Sequence, residues 1–148
     1  EQYQLAISFS ASENLKISIG SAKYSEEDKA DTLVVRGRNI ASGLPDEKAI
    51  SAKDVAQALD RVILNIVNAI RQVLEVTKPE LSADIMETGI ILTGGSSLLK
   101  RLPERLHDEI TIPVHLANTP MDCVALGAGK MLKEMYSKVR IAEENSRN

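Results

Sequence analysis

The sequence has 148 residues, of which 43% are hydrophobic, 26% are charged and 3% are aromatic, and its formal net charge is −3. This length fits one domain or two closely packed subdomains, while the acidic balance and the absence of Trp argue against a nucleic-acid-binding surface. The single cysteine excludes an internal disulfide and fits a reducing compartment, and no apolar run approaches the roughly 20 residues of a transmembrane helix.

The N-terminal part predicts a helix followed by a charged connection. The chain begins at Glu1 without a methionine, so we expect it to be part of something longer. Apolar residues favour a helix over about 10–16 and a short extended stretch over 16–19. The charged residues from 23 to 31 predict a solvated loop.

A β-hairpin is predicted next, over about 32–51. β-Branched residues fill the stretch 32–38, and residues 47–51 return as the second strand after a long connection that contains Gly and Pro. Arg36 and Arg38 share one face of the first strand and are expected to face solvent.

A long amphipathic helix over about 52–76 follows the hairpin. Ser51 is a good N-cap, and Asp54 lies three residues later, where an acidic side chain favours a helix start. Pro79 ends the pattern. The apolar stripe recurs at spacings of three and four, at Val55, Leu59, Val62, Ile63, Ile66, Val67, Ile70, Val73 and Leu74.

The second half alternates helices and strands. A short helical turn over 81–86 and a buried strand over 89–92 precede a double-glycine turn at 93–97. A helix over 96–109 follows, and Pro103 within it predicts a separate or kinked first turn. This alternation favours an α/β fold with parallel strands.

The last predicted elements are a strand over 112–117 and a helix over 121–137. Gly127 and Gly129 lie inside that helix, and we expect them to allow close packing against the sheet. The polar tail over 138–148 is expected to fray.

The double-glycine turn is the strongest sign of a ligand site. Gly94 and Gly95 remove side chains where the chain turns after a strand, and Ser96 and Ser97 are candidate N-caps for the next helix. A helix N-terminus suits phosphate or another polar group. The alternative is a turn that only needed glycine.

Residues for catalysis or metal binding are not evident. His107 and His115 have no spaced ligand partner, and Cys123 is expected to be a small buried hydrophobe. Glu13 and Lys16 share one helix face, where they are either a surface ion pair or an acceptor and a donor for a sugar or heterocycle. The residues therefore predict part of a binding site, with no catalytic residue and no metal ligand.

Four segments in order closely resemble the MreB family of bacterial actin homologues, and MreB-like paralogues such as Mbl are equally compatible. The resemblance extends from about Tyr3 to Met135. The segments are RGRNIASGLP at 36–45, PELSAD at 79–84, GIILTGG at 89–95 and NTPMDCVALGAG at 118–129.

The resemblance implies the second lobe of the actin and heat-shock-chaperone ATPase fold. This is an α/β architecture, with a mixed sheet, flanking helices and a small subdomain of hairpin and helices. Residues 1–78 would be mainly the small subdomain and 79–137 the large one, followed by the tail over 138–148. The last helix would cross back to the first lobe.

The resemblance also implies the ligand-binding residues. Gly94, Gly95 and Ser96 match the adenosine-side glycine turn, and Glu13 and Lys16 match an E-x-x-K pair near ribose and adenine. Ser96 stands where many relatives have a third glycine, and the segment SFSAS at 8–12 departs from the usual Gly-Glu-Arg-Thr-Ala.

The implied whole protein binds ATP or ADP with Mg²⁺, and its magnesium ligands and phosphate hairpins lie outside this chain. It would be a slow ATPase, whereas the fragment alone is expected to be inactive. Its partners would be the missing N-terminal lobe and further copies in filaments that guide cell-wall growth and rod shape. It would lie in the cytoplasm at the inner face of the membrane, which it would contact through parts absent here.

Two alternatives remain from the sequence. One is a lobe of a non-polymerising ATPase with the same fold, such as a chaperone or a sugar kinase. The other is an interaction module whose glycine turn binds nothing.

Overall fold

The computed structural model describes residues 3–145, with side chains as far as residue 138. The expectation about the chain start at Glu1 and the last part of the predicted tail, at 146–148, lie outside the described residues. Within the described part, the fold is mixed α/β, as predicted.

The first sheet is antiparallel and contains the predicted hairpin. Strands β1 (Leu5–Ala6), β2 (Thr32–Asn39) and β3 (Pro45–Ser51) pair in the order β1-β2-β3. β1 was not predicted, and it lies so close to β2 that a Cβ on Gly37 would come within 2.3 Å of the Ala6 carbonyl oxygen. Arg36 and Arg38 are exposed, as expected.

Helix α1 (Phe9–Ile19) is longer than predicted. The expectation of an extended stretch over 16–19 is wrong, because Ala11, Leu15 and Ile19 repeat every four residues and all contribute to one core cluster. The Ser8 hydroxyl accepts a hydrogen bond from the Ala11 N–H and caps the helix.

Helix α2 (Ala52–Glu75) confirms the prediction over 52–76. Ser51 and Asp54 form a capping box, in which each side chain accepts a hydrogen bond from the other residue's backbone N–H. Ile63 and Val67 on its apolar stripe are almost fully buried.

Helix α3 (Pro79–Thr88) is a full helix where only a turn over 81–86 was predicted. Pro79 suits the first helical turn, where its missing N–H would have no partner. The helix ends at Gly89, whose φ of 77° is readily adopted by glycine.

Strands β4 (Ile90–Leu92) and β5 (Val114–Leu116) form the second sheet, and they are parallel, as predicted. The described residues thus form two separate sheets, the antiparallel sheet of the hairpin and this parallel pair. β4 and β5 have three residues each, and within the described residues neither strand pairs with a strand of the antiparallel sheet.

A 3-10 helix (Gly95–Leu98) follows β4 and is separate from helix α4 (Leu102–Ile110), which confirms the predicted interruption. Ser96 and Ser97 are not N-caps, which corrects the prediction. Gly94 precedes the 3-10 helix, and Arg101 precedes α4 with a left-handed φ of 59°.

Helix α5 (Cys123–Asn145) begins two residues later than predicted and continues into the expected tail. Gly127 and Gly129 do not pack on a sheet, since a Cβ on either would find no heavy atom within 4 Å. Cys123 is half-buried, so it is not the buried hydrophobe expected. Most apolar side chains of α5 are exposed, and these are Val124, Leu126, Met131, Leu132, Met135 and Tyr136.

Two hydrophobic clusters form the core. One contains Ala22, Ile63, Val67, Leu102 and Leu106, and the other contains Leu15, Val35 and Val55. Leu59 of α2 packs against both clusters, so this helix joins them. None of the described helices combines the length and the apolar character needed to cross a bilayer.

Candidate nucleoside-binding cavity

A cavity of about 480 Å³ lies between α1 and the 3-10 helix that follows β4. Four of the five sequence-predicted site residues line it, namely Glu13, Lys16, Gly95 and Ser96. The fold therefore brings together two motifs that lie about 80 residues apart in the sequence.

One wall of the cavity is formed by the second half of α1 and by Gly20, its C-cap. Glu13, Lys16 and Ile17 share one helix face, at positions i, i+3 and i+4, and Ser18 and Ile19 complete the wall. Seven residues at the helical rise span about 10 Å, which is the approximate length of this wall. At the first end, the Lys16 ammonium lies 2.8 Å from the Glu13 carboxylate, and both side chains are more than a third exposed.

The middle of the cavity is apolar. Three exposed apolar side chains line it. Ile17 of α1 and Leu98 of the 3-10 helix have 72% and 54% of their surfaces exposed, and Met121 is the other exposed side chain. Such exposure of aliphatic side chains in a cavity favours an occupant with an apolar face.

The two glycines of the turn have different roles. Gly94 does not line the cavity but sets the turn with its φ of 82°, and its N–H donates to the Pro120 carbonyl at 2.7 Å. Its carbonyl accepts from the Ser97 hydroxyl at 2.5 Å. Gly95 lines the cavity, where a Cβ would lie 3.1 Å from the Met121 Sδ.

A buried ion cluster, which the sequence did not reveal, lies next to the cavity at the end near Gly20. It consists of Asp28, Lys100 and Arg101, of which Lys100 lines the cavity. Asp28 is 1% exposed, and its carboxylate lies 2.5 Å from both the Lys100 ammonium and the Arg101 guanidinium. The hydrogen bond from Lys100, joined by those from Arg101 and the Ser25 backbone, holds the Asp28 pKa well below its usual range despite burial. The expected solvated loop over 23–31 is therefore wrong at Asp28.

Backbone contacts reinforce this cluster. Ser21 and Lys100 form an isolated parallel bridge, and the Ala22 N–H donates to the Lys100 carbonyl at 2.8 Å. The C-terminal end of α1 is thereby fixed against the residues that precede α4. This end of the cavity is polar and is lined by Gly20, Asp31 and Lys100.

A second cavity of about 490 Å³ adjoins the first and shares Glu13 and Lys16 with it. Its walls are mainly the apolar residues around Leu15, Val35 and Val55. At its edge, a hydrogen bond to the Asp54 carboxylate raises the Tyr3 pKa, whereas the Ser51 hydroxyl and then Tyr3 lower the Asp54 pKa.

The described residues offer no group of three or more His, Cys, Asp or Glu side chains arranged to hold a metal ion. His107 has a local partner instead, because its Nδ1 lies 2.9 Å from the Ile112 carbonyl oxygen.

Solved structures share this fold. The structure of MreB5 of Spiroplasma citri bound to AMPPNP superposes with a TM-score of 0.89 at 29% identity, over 95% of this chain and 42% of that one. The same protein bound to ADP gives a TM-score of 0.88 at 29% identity, over 94% of this chain and 42% of that one.

The chain belongs to the MreB/Mbl protein family, whose sequence profile matches residues 1–140. The cell shape-determining protein Mbl of Bacillus subtilis (strain 168) is 42% identical over 134 residues, which are 90% of this chain and 40% of that protein. The cell shape-determining protein MreB of Escherichia coli (strain K12) is 40% identical over 144 residues, which are 96% of this chain and 41% of that protein. The chain thus spans about 40% of the length of these curated relatives.

Proposed function

We propose that this chain is the nucleoside-binding side of an ATP-binding, filament-forming, MreB-like protein that organises cell-wall growth and rod shape. The observation that carries the proposal is the convergence of Glu13 and Lys16 with Gly95 and Ser96 in one cavity. Its volume of about 480 Å³ lies in the range of small-molecule sites. The MreB5 structures, which share the fold, were solved with AMPPNP and with ADP.

The cavity suggests how a nucleoside binds. The flat base lies in the apolar middle, between Ile17 and Leu98, where it covers exposed aliphatic surface. The ribose hydroxyls lie at the Glu13–Lys16 end, because a carboxylate accepts and an ammonium donates hydrogen bonds. Gly95, which carries no side chain, gives the ligand room beside Met121.

The phosphates and Mg²⁺ are assigned to residues outside this chain. Phosphoryl transfer depends on a metal ion and a phosphate cradle that stabilise charge and position the reacting groups. The described residues supply no metal-binding group of carboxylates, so the first lobe of the fold is proposed to provide it. Mg²⁺ would there neutralise charge on the phosphates, while this chain binds and orients the nucleoside.

We assign residues 1–78 mainly to the small subdomain of the second lobe and residues 79–137 to the large subdomain. The partners of the chain are then the N-terminal lobe and further copies in a filament. The whole protein is placed in the cytoplasm at the inner face of the membrane, with membrane contact through parts outside this chain.

Removing the Lys16 ammonium tests the site in a protein of the relatives' full length that contains this chain. We expect Lys16→Ala to weaken ATP binding about tenfold, measured by titration calorimetry, because a charge-assisted hydrogen bond is lost. Lys29→Ala is the matched control, since Lys29 pairs with Glu26 at the same i, i+3 spacing but is highly exposed and outside the cavity. Equal affinities of the two variants would contradict the proposed site.

Filament formation is tested separately, by electron microscopy of that full-length protein with ATP. We expect ATP-dependent filaments. A protein that binds ATP but stays monomeric at every concentration tested would refute the filament part of the proposal and leave the nucleoside site intact.

A further inference from the structure

The two walls of the candidate cavity are joined at the end near Gly20. One wall is the second half of α1 with its C-cap, and the other is formed by residues 95–100. Directly after Gly20, Ser21 pairs with Lys100 in an isolated parallel bridge. A backbone hydrogen bond contributes only modestly to stability, so we expect this short bridge to depend on side-chain contacts.

Those side-chain contacts come from Asp28 and Arg101, neither of which lines the cavity. The Asp28 carboxylate accepts hydrogen bonds from the Lys100 ammonium and from the Arg101 guanidinium. The guanidinium also donates to the Ser21 hydroxyl at 3.2 Å and to the Lys23 carbonyl at 3.3 Å. Asp28 and Arg101 therefore hold both sides of the bridge, Lys100 on one side and Ser21 on the other.

Burial makes these contacts a strong geometric constraint. The Asp28 carboxylate is removed from water, so neither cation can move away from it without a large cost. Arg101 donates through a planar group whose fixed donor directions restrict where its acceptors can lie. Its backbone φ of 59° is a conformation that a non-glycine residue keeps only where its surroundings hold it.

Resting on the proposed nucleoside site, we propose that Asp28 and Arg101 are its positioning residues. They fix residues 95–100 against the end of α1 and so hold the two walls at the separation that the nucleoside needs before it binds. Binding to a preformed cavity loses less free energy to the ordering of its walls. Nucleotide affinity therefore depends on two side chains that do not line the cavity.

The test measures ATP binding by titration calorimetry, in a protein of the relatives' full length that contains this chain. We expect Asp28→Asn to weaken ATP binding about tenfold, the lower end of the loss when a supporting residue of a metal site is replaced. This variant also releases the Lys100 ammonium, which by charge alone would attract the ATP polyanion. Weaker binding therefore cannot come from the change in charge.

Arg101→Lys is the second variant, and it is used if Asp28→Asn fails to fold. It keeps the positive charge and leaves the contact between Lys100 and Asp28 in place, but a lysine cannot hold Asp28 and Ser21 together as the guanidinium does. We expect it to weaken ATP binding several-fold.

Val35→Ala is the control for lost stability. Val35 is buried in the core cluster of Leu15 and Val55, outside both the candidate cavity and the ion cluster. Shortening a buried side chain destabilises the fold, but it should leave the ATP affinity of the folded protein unchanged.

The separation of the walls is measured directly with two spin labels, on cysteines placed at Ser18 and Leu98 in a Cys123→Ser background. Both residues are exposed, and they line opposite walls of the cavity. Without nucleotide, Asp28→Asn should broaden the distribution of label distances, measured by double electron–electron resonance, whereas Val35→Ala should not.

Weaker ATP binding by the two cluster variants, together with the broader distance distribution, supports the positioning role. If Val35→Ala weakens binding as much as they do, or if the cluster variants leave the affinity or the distances unchanged, that role is refuted while the nucleoside site stands. If Lys16→Ala has no effect in the same assay, the nucleoside site fails and the positioning role fails with it.

Discussion

Asp28 shows how one buried carboxylate holds together residues 72 positions apart in the sequence. Arg101 is only 19% exposed, and its guanidinium contacts Asp28, Glu27 and the Ser21 hydroxyl. A buried charge is stable only when it is paired, so each of these groups depends on the others. Because Lys100 and Gly20 both line the candidate cavity, the cluster also fixes the distance between the cavity walls.

We expect Asp28→Asn to lower the free energy of unfolding at pH 7 by about 3 kcal/mol, because Lys100 and Arg101 lose the buried carboxylate that they share and the new amide sets an NH₂ donor against their donors. Urea denaturation measures this loss. Asp108→Asn is the matched control: Asp108 also contacts a lysine, Lys23 at 2.6 Å, but the pair is about half exposed. It should cost less than about 1 kcal/mol. Similar losses of unfolding free energy for both variants would contradict the claim that the buried Asp28 contributes more to stability than the half-exposed Asp108.

The same carboxylate predicts a dependence of stability on pH. Its pKa is lowered on folding, so the unfolded chain binds the proton more tightly. The stabilisation is therefore fully present above the unfolded value of about 3.9 and is lost as the pH falls below it towards the lower folded value. Urea denaturation at several pH values should show a steeper loss for the unchanged chain than for Asp28→Asn. If the unfolding free energies of the two proteins fell in parallel with pH, Asp28 would not be the group responsible for the loss.

At the scale of elements, α5 differs from the other long helix. α2 buries four of its residues, whereas the apolar side chains of α5 are mostly exposed, and a Cβ added to either of its two glycines would meet no atom outside the helix backbone within 4 Å. Glycine inside a helix without a packing role only adds conformational entropy to the unfolded chain.

Gly127→Ala should therefore stabilise the 148-residue chain by about 0.5–1 kcal/mol, measured as a shift in the urea midpoint. Gly94→Ala is the contrasting variant. A Cβ there also meets no atom within 4 Å, but the φ of 82° opposes any L side chain, so a loss of about 1 kcal/mol is expected. Destabilisation by Gly127→Ala would mean that α5 packs against something at that position.

Sequence patterns predicted the elements well where several signals agreed. α2 was predicted because its stripe is long and its capping box lies at the first turn. The hairpin was predicted because a β-branched run over 32–38 precedes a Gly- and Pro-containing connection. β1 has two residues, too few for any periodicity. The end of α1 was wrong because four residues fit a strand and a helix equally well, and only packing on Leu15 distinguishes them.

The candidate site was predictable only in part, for a similar reason. Glu13, Lys16, Gly95 and Ser96 lie in local motifs that resemble those of a known family. Asp28 belongs to no motif, and its role depends on Lys100 and Arg101, which the fold brings near. A local sequence pattern does not indicate contacts between residues so far apart in the chain.

At the scale of the whole molecule, the cavity depends on both halves of the chain. α1 comes from the first half and the 3-10 helix from the second, and α2 joins the two core clusters through Leu59. The described residues contain no group of three or more His, Cys, Asp or Glu side chains arranged to hold a metal ion. In the function proposed above, they form the nucleoside side of the site, and the groups that act on phosphate belong to the rest of the protein.

The 148-residue chain should therefore release no phosphate from ATP and Mg²⁺ above the rate in buffer. A phosphate-release assay measures this, with a protein of the relatives' full length as the positive control. Clear ATP turnover by the chain alone would contradict the proposal that the groups acting on phosphate lie outside it.

The most direct test is a crystal structure, with AMPPNP, of a full-length protein that contains this chain. We predict that the base lies between Ile17 and Leu98, with the ribose at Glu13 and Lys16 and the glycine turn beside the nucleoside. A nucleotide bound in the neighbouring cavity around Val35 and Val55, or elsewhere with the first cavity unoccupied, would contradict this account.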